Sequence, residues 1–193
     1  MDKKKLGHGV FCVENFLSKE SLNILLQFCK DQNNWVWDNE TIPQKFSKNM
    51  DDGIHDDVWL EINEKLKQVF VDQSIYVPRI TNSVSKSVAY NDSFPMSEDG
   101  LLMGPHSDDF GYKKGYGIID ENIICIKYAC ILYLNEDFDG GEIVYNKKNL
   151  EVKPKTNMLI VHSGSDEHEH SVKQVYNGDR YSVPFFIVNK ECL

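Results

Sequence analysis

The sequence lacks the features that define several protein classes. None of its five cysteines stands in a Cys-x-x-Cys pair, so neither a thiolate zinc cluster nor a disulfide framework is expected. No apolar run approaches the length needed to cross a bilayer. The charged start Met1-Asp2-Lys3 is not followed by the apolar segment of a secretory signal. We therefore predict a cytoplasmic protein with no membrane partner.

Acidic residues outnumber basic ones, and arginine is scarce. The formal net charge is -9, and only Arg79 and Arg180 are arginines. Non-specific nucleic-acid binding needs a basic surface, so this composition disfavours a nucleic-acid partner. With 193 residues, of which 41% are hydrophobic, the chain is long enough for one domain with a sizeable core. We predict a single domain over residues 1–193.

The pattern of apolar residues changes near residue 83. Before it, helical spacing predicts an amphipathic helix over residues 19–30, with Ser18 as N-cap. A second amphipathic helix is predicted to follow a cap at Asp56 or Asp57 and to end at about residue 72. A short entry strand is predicted at residues 9–13, and residues 35–49 are predicted to be irregular. From residue 83 onward, short strands alternate with turns. This order predicts a mainly β fold with flanking helices, whose core over residues 83–193 is an antiparallel double-sheet barrel of jelly-roll or cupin-like form.

The motif His106-Ser107-Asp108 indicates part of a metal site. Side chains two residues apart in a strand point to the same face. His106 and Asp108 can therefore face one cavity while Ser107 points away. One more imidazole would complete the two-histidine, one-carboxylate facial triad that holds iron(II) and leaves positions open for other ligands.

The third ligand must come from downstream, where His162, His168 and His170 compete. Spacing alone does not separate His168 from His170. The run His-x-Val-x-x-Val that begins at His170, and the ten-residue step to Arg180, favour His170. Arg180 enters an apolar strand, where a charge needs a partner. A guanidinium group binds a carboxylate in a bidentate manner, so a carboxylate ligand is expected there.

Five blocks occur in one order along the chain: Val88-Ala89-Tyr90, residues 104–108, residues 131–135, Gly140-Gly141-Glu142, and residues 170–182. In this order they resemble the Fe(II)/2-oxoglutarate-dependent dioxygenases, specifically the prolyl 4-hydroxylase-like branch. The resemblance implies a double-stranded β-helix core, with iron held by His106, Asp108 and His170. It also implies that Arg180 binds the distal carboxylate of 2-oxoglutarate, and that Tyr133 and Tyr90 contact this cosubstrate.

The same resemblance implies an activity and its cofactors. The cofactors would be Fe(II), 2-oxoglutarate as cosubstrate, O2 and ascorbate. The enzyme would hydroxylate a substrate C–H bond, most directly in a peptidyl proline, as procollagen-proline 4-hydroxylases do, and release succinate and CO2. The loops at residues 91–100 and 110–121 flank His106 and are long enough to form a groove for a peptide or protein substrate, where Tyr112 and Tyr116 offer aromatic faces.

Two alternatives stay open. The first is hydroxylation of a free amino acid or of another protein side chain, because one fold hosts many substrates. The second is a catalytically silent barrel that acts as a binding module. The complete set of three metal ligands plus Arg180 counts against the second alternative, since a binding module has no need of all four.

Overall fold

The computed structural model describes residues 2–37, 45–54, 56–70, 75–76, 83–91, 97–108 and 126–189. The predicted loop at residues 110–121, with Tyr112 and Tyr116, lies outside the described residues. Of the predicted loop at residues 91–100, only Asn91 and residues 97–100 are described. Within these ranges, no helix is long and apolar enough to span a membrane.

Strands dominate the described part of the chain. The two α-helices are α1 (Lys19–Lys30) and α2 (Asp56–Val69). The strands are β1 (Lys3–Gly7), β2 (Val10–Glu14), β3 (Val36–Trp37), β4 (Lys45–Asn49), β5 (Ile75–Tyr76), β6 (Ser83–Val88), β7 (Leu101–His106), β8 (Ile126–Tyr133), β9 (Asp139–Gly140), β10 (Ile143–Tyr145), β11 (Leu150–Val152), β12 (Met158–Ser163), β13 (His170–Lys173), β14 (Val175–Asn177) and β15 (Asp179–Asn189).

The strands form two main antiparallel sheets. The large sheet has nine strands in the order β1-β2-β12-β8-β15-β6-β4-β3, with β5 paired to β15, and the small sheet has the order β11-β10-β13-β7. A two-stranded ribbon of β14 and β9 completes the set. This architecture confirms the predicted mainly β fold with flanking helices and a double-stranded β-helix core.

Two hydrophobic cores lie on opposite faces of the large sheet. Alternation along β8 sends Leu132 to one core and Tyr133 to the other. The first core joins the sheet to the helices, through residues such as Leu25 of α1 and Ile62 of α2. The second core joins the large sheet to the small one and includes Ile143 and Tyr145. A side chain on the inner face of the large sheet therefore points into the space between the two sheets.

The predicted first helix has the expected ends. It spans Lys19–Lys30, and the Ser18 hydroxyl accepts a hydrogen bond from the backbone N–H of Ser21 at 3.2 Å. This bond satisfies one of the donors that a helix start leaves open. The second helix spans Asp56–Val69, so Asp56 and Asp57, the two predicted caps, both lie in its first turn, and it ends before residue 72.

The N-terminal residues contribute more strands than predicted. Strand β1 is absent from the prediction, and β3 and β4 lie in the stretch predicted to be irregular. Both β1 and β4 are rich in lysine, a composition typical of strands at the edges of sheets rather than of their centres. In β4, Lys48 is 1% exposed, and its ammonium group donates to the carbonyl oxygens of Phe28 at 3.0 Å and Asp31 at 3.1 Å. Residues 1–82 therefore build part of the large sheet as well as the helices over it.

Candidate metal and cosubstrate site

The small sheet brings the predicted metal ligands together. Strand β7 ends at His106, β13 begins at His170, and these two residues are paired across the strands. Their ring centroids are 4.4 Å apart. Asp108 follows two residues after His106, and one ligand atom of each of the three side chains lies within 4.8 Å of the others. Ser107 points away and donates a hydrogen bond to Asp166 at 2.6 Å.

Backbone carbonyl groups orient both imidazoles. His106 Nδ1 lies 2.8 Å from the Gly104 oxygen, and His170 Nδ1 lies 3.0 Å from the His168 oxygen. A carbonyl oxygen only accepts hydrogen bonds, so each Nδ1 carries a proton and each Nε2 keeps its lone pair. This is the tautomer that a metal-binding histidine needs when its other nitrogen is held by a hydrogen bond.

Burial sets the electrostatics of this group. Burial raises the pKa of Asp108 to about 6, although nearby His106 acts in the opposite direction. Burial lowers the pKa of His170 to about 3, and His162 and His106 lower it further. At neutral pH the site therefore offers a neutral imidazole and a carboxylate that is 7% exposed. Two imidazole nitrogens and one carboxylate are the donor set of the iron(II) facial triad, so these residues fit the metal.

The two other candidate histidines have different surroundings. His168 is 5% exposed, and its Nε2 lies 2.9 Å from the carbonyl oxygen of His8, to which it donates. His168 therefore anchors the loop before β13 to the turn between β1 and β2. His162 lies closer to the metal ligands, because its Nε2 is 3.6 Å from Asp108 Oδ2.

Arg180 lies in the space between the sheets. It is 5% exposed, its guanidinium group lies 3.3 Å from the Tyr133 hydroxyl and 3.5 Å from the Ser87 hydroxyl, and its Nε has no partner. No carboxylate of the described residues pairs with it. A buried cation without an anion is costly, so this environment fits a carboxylate-bearing ligand. Gly141 leaves room for the arginine, because a Cβ at this position would lie 2.8 Å from Arg180 Cδ.

The structure does not bring Tyr90 to this group. Tyr90 is 44% exposed, and its ring packs edge-on against Tyr176 with 6.0 Å between centroids. Sequence reasoning also missed Ser87, which lies beside Arg180, and Tyr145, which lies beside His170. Ser87 is paired with Arg180 across β6 and β15. Tyr145 is fully buried near His170, with 5.7 Å between ring centroids. Their positions depend on which strands become neighbours, and no local sequence signal marks this.

Comparison with known proteins identifies the family that this geometry belongs to. Residues 95–188 match the family model for the 2OG-Fe(II) oxygenase superfamily. These residues belong to this superfamily. The predicted resemblance is thereby confirmed, and so are the cofactor Fe(II) and the cosubstrates 2-oxoglutarate and O2. The matched region contains all three predicted metal ligands, Tyr133 and Arg180.

Curated relatives match part of this chain. Mouse (Mus musculus) prolyl 3-hydroxylase 2 is 31% identical over 97 residues, which are 47% of this chain and 13% of the relative. Rat (Rattus norvegicus) prolyl 3-hydroxylase 1 is 34% identical over 77 residues, which are 33% of this chain and 11% of the relative. The chain thus matches only a small part of the length of these relatives.

Solved structures share the fold over nearly the whole chain. The viral collagen prolyl hydroxylase from Paramecium Bursaria Chlorella virus-1, in complex with 2-oxoglutarate, superposes with a TM-score of 0.64 at 14% identity and covers 95% of this chain and 97% of that chain. A prolyl hydroxylase from Trichoplax adhaerens, in complex with a hypoxia inducible factor peptide, gives a TM-score of 0.63 at 16% identity and covers 95% of this chain and 84% of that chain.

Proposed function

We propose that this oxygenase hydroxylates a proline within a peptide or protein. In this proposal His106, Asp108 and His170 hold iron, and Arg180 with Tyr133 holds the distal carboxylate of 2-oxoglutarate. The observation that carries the assignment of the site is the buried Arg180, which has no carboxylate partner among the described residues and shares the interior of the barrel with a three-ligand group.

Bound iron, 2-oxoglutarate and O2 would supply the oxidation that replaces a substrate C–H bond by C–OH and yields succinate and CO2. The side chains of the protein would bind and orient these groups. Arg180 and the Tyr133 hydroxyl would fix one end of the cosubstrate by charge-assisted hydrogen bonds. The aliphatic and aromatic residues of the inner core would limit the access of water to the reacting atoms.

The peptidyl-proline substrate is supported by the names of similar proteins. The curated relatives are prolyl 3-hydroxylases, and the similar solved structures include a collagen prolyl hydroxylase and a prolyl hydroxylase with a bound peptide. The sequence predicts hydroxylation at carbon 4, whereas these relatives are named for carbon 3. The assay below therefore identifies which carbon receives the hydroxyl group. Ascorbate, also predicted, would serve as a reductant.

The test is a turnover assay on iron-loaded protein with 2-oxoglutarate and O2, with and without ascorbate. A panel of proline-containing peptides is compared with free proline. Succinate is quantified, one added oxygen is detected by mass, and hydrolysed products are compared with 3-hydroxyproline and 4-hydroxyproline standards. Asp108→Asn serves as the control variant, because it replaces one proposed ligand with a neutral group of the same shape.

We expect hydroxylated peptide and an equal amount of succinate. Hydroxylation of free proline with every peptide inert would instead assign a free amino acid as substrate. Binding of iron and 2-oxoglutarate without any succinate would indicate a silent barrel and contradict the enzymatic proposal.

A further inference from the structure

The hydroxyl group of Tyr145 is an unexplained polar group in the interior. Tyr145 is 0% exposed, and its hydroxyl has no hydrogen-bond partner among the described residues. Most buried polar groups in native proteins are hydrogen-bonded, so an orphaned O–H requires a reason. A ligand that occupies the barrel interior is one such reason, because it supplies an acceptor only when it is bound.

Strand register places Tyr145 beside the metal ligands. Strands β10 and β13 pair Ile143 with Val172 and Val144 with Ser171, so Tyr145 lies next to His170. Strands β13 and β7 pair His170 with His106. Tyr145, His170 and His106 thus follow one another across the small sheet. The Tyr145 ring also meets the His162 ring edge-on, with 5.3 Å between centroids.

The Tyr145 side chain lies among the rings of the site. Its ring centroid is 5.7 Å from that of His170 and 6.4 Å from that of His168. Tyr145 also belongs to the same buried cluster as Tyr133, whose hydroxyl contacts Arg180. A tyrosine hydroxyl keeps its proton at neutral pH, so it is available as a donor.

Among the residues that the structure describes, donors for the cosubstrate are unevenly distributed between its two ends. The distal carboxylate would accept hydrogen bonds from Arg180 and from the Tyr133 hydroxyl. Beside the metal, the Nδ1 protons of His106 and His170 are held by backbone carbonyls, and Asp108 as a carboxylate only accepts. His162 Nε2 also lacks a partner, but its Nδ1 lies 3.0 Å from the Ser163 oxygen, so the proton is on Nδ1 and Nε2 is an acceptor.

We propose that the Tyr145 hydroxyl donates a hydrogen bond to the metal-chelating carboxylate of 2-oxoglutarate. The resemblance implies that Tyr90 also contacts the cosubstrate, but it is Tyr145 rather than Tyr90 that lies beside the metal group. This inference rests on the cosubstrate of the superfamily and on the proposed placement of its distal end at Arg180. It does not depend on the identity of the hydroxylated substrate.

The test is the variant Tyr145→Phe, which keeps the ring and removes only the hydroxyl. Metal-loaded protein is titrated without O2 with 2-oxoglutarate and with 2-oxobutyrate, which keeps the chelating end but lacks the distal carboxylate. We expect Tyr145→Phe to weaken both ligands by a similar factor of about 10 to 100, the range for a hydrogen bond to a charged group. Arg180→Met should weaken 2-oxoglutarate far more than 2-oxobutyrate.

Stability without cosubstrate gives a second measurement. Tyr145→Phe should melt at the wild-type temperature or above it, because the removed hydroxyl had no partner. Tyr181→Phe is the matched control. The Tyr181 hydroxyl donates to Asp179 at 3.2 Å, and its ring lies in the core on the helix side of the large sheet. This control should lose stability and keep the wild-type affinity for both ligands.

Each other outcome is decisive. If the wild-type protein does not bind 2-oxoglutarate, the cosubstrate assignment fails before Tyr145 is tested. If the wild type binds it and Tyr145→Phe binds both ligands equally well, the inference about Tyr145 is wrong. If Tyr145→Phe loses affinity for 2-oxoglutarate but not for 2-oxobutyrate, the hydroxyl binds the distal carboxylate and the inference is wrong. If Tyr145→Phe is less stable than wild type without cosubstrate, the hydroxyl has a structural partner and the inference is wrong. If Tyr90→Phe weakens the binding of both ligands and Tyr145→Phe does not, Tyr90 is the donor.

Discussion

Replacement of Arg180 by methionine should separate stability from cosubstrate binding. In the described part of the chain, the guanidinium group contacts two hydroxyls at 3.3 Å and 3.5 Å and no carboxylate. These contacts are near the outer limit of a hydrogen bond, so each contributes at the low end of about 0.5–1.5 kcal/mol. Methionine removes a buried unpaired charge and keeps most of the apolar volume. The free energy of unfolding without cosubstrate should therefore stay within about 1 kcal/mol of wild type, or rise.

Cosubstrate binding should respond in the opposite direction. Without Arg180, the distal carboxylate of 2-oxoglutarate would be buried against one neutral hydroxyl, that of Tyr133. Removal of one partner of a buried ion pair costs roughly 3–5 kcal/mol. This corresponds to roughly 150- to 5000-fold weaker binding. The variant should still bind the metal, since none of the three metal ligands is changed.

Denaturant unfolding of metal-loaded protein, with and without 2-oxoglutarate and in the absence of O2, measures both effects. At a ligand concentration about 1000 times the wild-type Kd, the wild type should gain about 4.1 kcal/mol. With the losses given above, the same concentration should stabilise Arg180→Met by only about 0.1–1.2 kcal/mol.

Lys86→Met is a suitable control, because Lys86 is a buried cation that is already paired, at 3.0 Å from Asp179. The Lys86→Met variant should be less stable than wild type, but 2-oxoglutarate should raise its free energy of unfolding by the same amount as in wild type. A full 2-oxoglutarate gain in Arg180→Met would refute the assignment of the distal carboxylate to Arg180.

Three further predictions follow from the same site. His170→Ala should abolish iron binding and His168→Ala should leave it in place, as measured by metal content after dialysis; the reverse result would make His168 the ligand. Metal affinity should fall about tenfold per pH unit below pH 6, because burial raises the pKa of Asp108 to about 6 and a proton then competes with the metal; equal affinities between about pH 5 and 8 would contradict this. Gly141→Ala should lower stability by about 1–3 kcal/mol in thermal unfolding, because φ is 69° and the added Cβ would lie 2.8 Å from Arg180 Cδ; unchanged stability would show that the backbone relaxes.

The features that were predicted from the sequence depend on local spacing. Residues that are two positions apart in a strand share a face, so His106 and Asp108 could be assigned to one cavity without knowledge of the fold. Helix α1 was predictable because its apolar spacing and its Ser18 cap are both local signals. The resemblance to a family supplied His170 and Arg180, which lie far away in sequence.

The features that were missed depend on neighbours that are distant in sequence. Tyr145 gains its position from pairing between β10 and β13, whereas Tyr90 lies beyond the end of β6 at Val88 and is 44% exposed. Strand β4 was not predicted because its lysines weaken the local sequence signal of a strand. The buried Lys48 within it is satisfied by oxygens at the end of α1, an arrangement that only the folded chain provides.

The position of β2 has a consequence for synthesis on the ribosome. This strand pairs with β1 on one side and with β12 on the other. β2 ends at Glu14 and β12 begins at Met158, so 143 residues lie between them. At about 5–20 residues per second, one edge of β2 waits roughly 7–29 s for its native partner. During that time Val10, Cys12 and Val13 are an apolar edge available to chaperones or to a second nascent chain.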